Sequence, residues 1–163
     1  MYTQNISRSE QLAERILSGA QTLHNLASTL TEEQWNSPVI GDGRPIGVVI
    51  HHVASSYPME IELAQLLANG KAITGATMEV VDQINAEHAE QFAEIQLDET
   101  LQLLQTNSLK AANVVRGFST AELDSAAPVS LNADAPLTCQ FFIEDHALRH
   151  SYHHLAKIKA SLA

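Results

Sequence analysis

The chain has 163 residues, 45% of them hydrophobic and 17% charged, enough to bury one apolar core and too few for two ordinary domains, so a single domain over residues 1–163 is expected. Nine Lys and Arg against nineteen Asp and Glu give a net charge of -10, which argues against a phosphate backbone as partner, because that needs clustered cations. No apolar run reaches the roughly 20 residues that span a bilayer, residues 1–20 lack a signal peptide's apolar stretch, and the one cysteine, Cys139, permits no internal disulfide. The expectation is a cytoplasmic protein with neither membrane nor nucleic acid as partner.

Ser7-x-x-Glu10 has the form of a capping box, and Leu12, Ile16, Leu23, Leu26 and Leu30 follow at mostly helical multiples, which predicts a first helix over about residues 7–30. Thr31-x-x-Gln34 repeats the form and starts a short helical turn carrying Trp35, ended by Pro38 and Gly41-Asp42-Gly43. Pro45 suits a first helical position. A second helix is expected from there through Leu67 to the stop signal Asn69-Gly70, with Pro58 kinking it or removing one hydrogen bond. After a loop over residues 71–77, Val81, Ile84, His88, Phe92 and Ile95 resume a helical period. The register shifts near Asp98, and Leu97, Leu101, Leu104, Ser108, Ala111, Val115 and Phe118 keep the four-three alternation of a bundle seam, ended by Gly117 and Ser119-x-x-Glu122. Residues 124–136 hold two prolines and no period, and are expected to form a long crossing loop before a last helix over about residues 138–160. No segment alternates like a strand. The pattern predicts an all-α protein, a four-helix bundle with long crossover connections.

The eight histidines are the unusual part of the composition. At 100° per residue, Val48, Val49, Met59, Leu63, Leu66 and Leu67 fall within about 60° of His52, so His52 is expected to point into the bundle and its neighbour His51 to the rim or surface. On the last helix His150 and His154 lie one turn apart on the arc of Ile143, Ala147 and Ile158; His146 extends the row, and His153 is displaced from it. Two imidazoles at i and i+4 can hold one metal ion, and a third from a facing helix leaves positions for water or substrate. His52, His150 and His154 are therefore the expected ligands. A lone inward histidine is more simply a hydrogen-bonded core residue, but three without a metal would each need a partner. No Glu-x-x-His pair of a di-iron bundle, no His-Glu-x-x-His, no P-loop and no dinucleotide fingerprint occurs.

The segments Pro45-Ile46-Gly47-Val48-Val49-Ile50-His51-His52-Val53-Ala54 and Asp145-His146-Ala147-Leu148-Arg149-His150-Ser151-Tyr152-His153-His154-Leu155 resemble the two histidine segments of the DinB-like superfamily, in order and spacing across nearly the whole chain. Asp82-Gln83-Ile84-Asn85-Ala86 and the Trp35 turn are also similar to that family. The resemblance implies an up-down-down-up bundle with a three-histidine metal site that maps onto His52, His150 and His154. It also implies a homodimer and an activity like that of family transferases and isomerases that use low-molecular-weight thiols such as bacillithiol or mycothiol. After its last histidine the family often has x-Gly-Gln, where this chain has Leu155-Ala156-Lys157.

Three neutral ligands leave a divalent ion its charge, so it can activate water or hold a thiol as thiolate. Zinc or nickel is the expected metal, with iron and copper also compatible with imidazole. The expected function is a metal-dependent transferase acting on a small-molecule substrate with such a thiol. The alternatives are a hydrolase on the same site and a non-enzymatic metal- or ligand-binding stress protein, which the lack of a clear carboxylate on the inward arcs keeps open. A closed structural site would recruit His146 or His88 as fourth ligand. Tyr57, Tyr152 and Arg149 are candidates for recognising substrate, though packing or surface is the simpler reading of each, and His88 is a candidate general base. Cys139, about eleven residues before His150 and roughly 16 Å along the axis, is too far to share the metal. Phe141, Leu148 and Leu155 form a second apolar stripe on the last helix, suited to a dimer face or to the first helix.

Overall fold

The computed structural model describes residues 6–163; the reading of residues 1–20 falls outside it at residues 1–5. Local signals set most helix ends. Helix α1 (Arg8–Ala27) starts where the Ser7 side chain accepts from the Glu10 N–H, and α2 (Glu32–Asn36) has both bonds of the Thr31/Gln34 capping box. Pro45 precedes α3 (Ile46–Ala68), which stops before Gly70 in the left-handed region at φ 66°. Thr77 caps α4 (Met78–Gln91), and α5 (Leu97–Arg116) leads to α6 (Thr120–Asp124), whose Ser119/Glu122 box is also complete. The last helical stretch is α7 (Cys139–Ile143), a π turn (Glu144–Leu148) and α8 (Arg149–Leu162).

Contacts between helices fix their directions. Glu10 pairs with Arg116 at 3.0 Å, so the start of α1 meets the end of α5 and the two run antiparallel. Arg15 bonds Glu144, and Gly19 abuts Ser151 and Tyr152, so α1 and the last helix run parallel. The Trp35 indole lies against Gly47, near the start of α3, while donating to the Ile95 carbonyl just before α5, so α3 and α5 start at the same end. This is the up-down-down-up order, with α4 carried on the long crossover between the two parallel helices. The core runs through Leu12, Ile16 and Leu23 of α1, Ile50, Val53 and Tyr57 of α3, Leu104 and Val115 of α5, and Ile143 and Ile158 of the last helix. Among the described residues no helix is long and apolar enough to cross a membrane.

Three expectations change. Residues 124–136 are not a plain loop: β1 (Ala126–Val129) and β2 (Ala135–Thr138) form an antiparallel hairpin, with Val129 opposite Ala135. Its turn passes through left-handed Ala133 and Asp134, and Ile73 bonds to it in both directions, to the Pro128 carbonyl and from the Ser130 N–H. Strands of four residues with facing prolines are too short and too irregular to show a period. Helix α1 ends at Ala27, short of residue 30. At Pro58 the expected loss of one hydrogen bond is what occurs, and α3 continues through it without a break. The missing donor leaves the Ala54 carbonyl free, and Asn107 of α5 supplies it from Nδ2 at 2.9 Å. Finally, the last helix contains the π turn, whose wider winding changes the rotation between α7 and α8.

Candidate metal centre

Antiparallel packing of α3 against α8 brings His52 opposite the one-turn pair His150 and His154. One ligand nitrogen from each lies within 4.8 Å of the other two. His52 Nε2 and His150 Nε2 are 3.0 Å apart, with the ring of His154 centred 5.5 Å from that of His52 and 4.9 Å from that of His150. The three expected residues are thus together, on the two expected helices.

The donor set suits a cation. Burial first, then the neighbouring imidazoles and Arg44, pushes His52 down to about 2 and His154 to about 3, so both rings keep their lone pairs at neutral pH. His154 Nδ1 is buried with no hydrogen-bond partner among the described residues, a state that costs free energy unless something else fills the position. His150 Nδ1 donates to Glu60 Oε1 at 2.8 Å, which leaves His150 Nε2 directed at His52. Glu60 is only 7% exposed, and its other oxygen has no partner among the described residues. A carboxylate on a ligand histidine fixes the tautomer and makes the ring a better donor.

Glu60 corrects the expectation that the inward arcs lack a carboxylate. It follows Val53, Ser56 and Tyr57 at helical spacing on a buried ladder of α3, and an acid on that ladder was the signal. The neighbouring histidines are also rearranged. His51, expected at the rim, is 5% exposed, whereas His52 is half-buried and Met59 and Leu66, on its arc, are exposed. Helix α3 packs on α4, α5 and α8 at once, so it has no single inward arc. His51 Nδ1 lies 2.9 Å from His88 Nε2, and both rings pack on Phe92. His88, lowered to about 4 by burial and by His51, sits edge-on to His52 with ring centres 5.5 Å apart. His146 stacks on Phe142 and His153 is exposed; neither joins the three-nitrogen group.

The candidate recognition residues separate as well. Tyr57 is 1% exposed and belongs to the core, its hydroxyl kept protonated by burial. Arg149 is exposed and paired with Asp145, and Tyr152 packs its ring edge over Gly19. Leu148 and Leu155 are buried within the chain, leaving only Phe141 of that stripe exposed. Cys139 is buried and its thiol is raised to about 11, chiefly by burial, so it is an unreactive packing residue. An ion pair that was not anticipated stands beside the cluster. Asp42 and Arg44, in the loop before α3, are joined by two bonds of 2.6 and 2.8 Å, and Asp42 is lowered to about 2 by Arg44.

An up-down-down-up bundle with converging imidazoles on its second and last long helices defines a class of histidine-centred helical proteins. This chain belongs to the DinB superfamily, whose sequence pattern matches residues 16–158. No curated protein matches it in sequence. Among solved structures it is similar to YfiT from Bacillus subtilis, described as a probable metal-dependent hydrolase with an unusual four-helix bundle topology. That match has TM-score 0.72 and 15% identity, covering 99% of this chain and 90% of the other. It is also similar to a mycothiol-dependent maleylpyruvate isomerase, with TM-score 0.70, 12% identity and coverage of 97% of this chain, which spans 63% of that protein's length. A DinB-like protein, YjoA, from Bacillus subtilis matches with TM-score 0.58 and 15% identity over 93% of this chain and 90% of its own. At these identities the likeness is one of fold.

Proposed function

We propose that the protein is a metal-dependent transferase that acts on a small molecule with a low-molecular-weight thiol, using His52, His150 and His154 as metal ligands. The observation that carries the reading is the convergence of three lone-pair nitrogens within 4.8 Å from two helices, with Glu60 behind one of them. A divalent ion held by neutral imidazoles would supply Lewis acidity at an open site, lowering the pKa of a thiol or water that reaches it. Zinc or nickel is the favoured ion on ligand chemistry. The chain's own part is to keep His52 and His154 neutral, to orient His150 through Glu60, and to hold His88 beside His52 as a proton acceptor. The thiol reading draws on the mycothiol-dependent isomerase, and a homodimer, readable by sedimentation, is part of the same proposal. YfiT, described as a probable metal-dependent hydrolase and similar over 90% of its own length, supports a second reading in which water takes the place of the thiol.

The test is elemental analysis of untagged protein beside a variant with His52, His150 and His154 all changed to alanine. About one equivalent of metal, lost in the variant while the helical signal survives, is expected, and it justifies screening thiols with electrophiles against hydrolysable esters and amides. No metal in either protein after incubation with zinc or nickel would overturn both readings.

A further inference from the structure

Resting on the metal-centre reading, we propose that Arg44 binds a carboxylate on the small molecule that the three-histidine site receives. Arg44 stands in the loop that leads into α3, and it is the least exposed of the chain's five arginines, its side chain 18% exposed where that of Arg149 is 63% exposed. Its Nε and Nη2 grip Asp42, and its backbone N–H also reaches Asp42 Oδ1 at 3.3 Å. This orients the guanidinium and leaves Nη1 over. Nη1 is buried and has no acceptor among the described residues, although a charged N–H left unpaired in the interior is costly.

The position is beside the site. Ile40, in the same loop, donates its N–H to Ser161 Oγ of α8 at 2.9 Å, two turns after His154, and Arg44 stands two residues before α3 and two turns before His52, a placement in keeping with the effect of its charge on His52, His88 and His154. On a chain of net charge -10, an anionic ligand needs such a local cation to be held at all. A carboxylate is the class that fits, because one of its oxygens can take the Nη1 donors while the rest of the molecule extends towards the imidazoles.

The probe is 3-mercaptopropionate, compared with its neutral amide, titrated into the cobalt-loaded full chain and read by the thiolate-to-cobalt absorption band. The acid is expected to bind about tenfold tighter than the amide, the worth of one charge-assisted hydrogen bond. Arg44→Gln is expected to bind both alike while its cobalt content and helical signal are unchanged. Asp42→Asn, which frees the guanidinium from its carboxylate, is expected to raise the preference for the acid. Equal binding of acid and amide by the unaltered chain, or a preference that survives in Arg44→Gln, overturns the carboxylate site and leaves the metal centre standing. Failure of the unaltered chain to take up cobalt overturns the metal reading and this one with it.

Discussion

Glu60 decides the protonation pattern of the histidine cluster. Its carboxylate accepts from His150 Nδ1, so the proton of that ring is kept away from the side facing His52. Replacing it with leucine, of similar size and no acceptor, should lower metal affinity about 10–100-fold. Glutamine, which can still accept through its amide oxygen, should lose less. Competition with a chromogenic chelator measures both, and equal affinities for Glu60→Leu and the unaltered chain would count against the role. The same cluster makes the metal-free protein sensitive to acid. His52, His154 and His88 are held at about 2, 3 and 4 in the fold, against a usual 6.5, mainly by burial. Above about pH 6.5 the rings are neutral whether the chain is folded or not; below it, the unfolded chain takes up protons that the folded chain refuses. Stability should therefore be full near pH 7.5 and decline steadily towards pH 4.5. A thermal midpoint that stays flat over that range in metal-free protein would contradict the buried neutral state.

At the scale of elements, the continuity of α3 depends on a bond from another helix. Pro58 would ordinarily leave the Ala54 carbonyl without a donor, and Asn107 of α5 provides one. Asn107→Leu should cost about 1–3 kcal/mol, since it leaves that carbonyl unpaired against an apolar side chain. Pro58→Ala restores a backbone N–H able to reach the same carbonyl, so in that background Asn107→Leu should cost clearly less. Chemical denaturation of the two single variants and the double variant reads the coupling, and strict additivity would show that the two residues act independently. The helix start at Ile46 has a different constraint. A methyl group on Gly47 would fall inside the Trp35 indole, so the glycine lets α2 lie directly on α3 beside the loop that carries Arg44.

For the whole molecule, metal binding and folding are linked because the ligands come from two helices that only the bundle brings together. Zinc at about a hundredfold excess over its dissociation constant should stabilise the fold by about 2.7 kcal/mol, a rise in thermal midpoint on the order of 5–10 °C for a chain of this length. The variant lacking His52, His150 and His154 should show no such rise. A rise of equal size in that variant would place the metal elsewhere.

Much of this was legible in the amino-acid order. Capping residues at Ser7, Thr31 and Ser119 and the seam from Leu97 to Phe118 mark helices because such signals act within a turn or two of chain. The i, i+4 spacing of His150 and His154 places both rings on one side of α8 whatever surrounds it, and these two ligand candidates were readable for that reason. What lay beyond was set by which helices meet. His51 is buried and His52 half-buried because α3 is packed on several sides, which a wheel with one inward direction does not represent. The hairpin at residues 126–138 depends on Ile73, more than 50 residues earlier. The pairing of Glu60 with His150 joins residues 90 apart, and the placing of Arg44 beside histidines of three helices exists only once α3, α4 and α8 are assembled. Local backbone preference determined the helices and the facing of residues one turn apart. Tertiary packing decided which polar groups share a buried space, because desolvation and charge act through space and not along the chain.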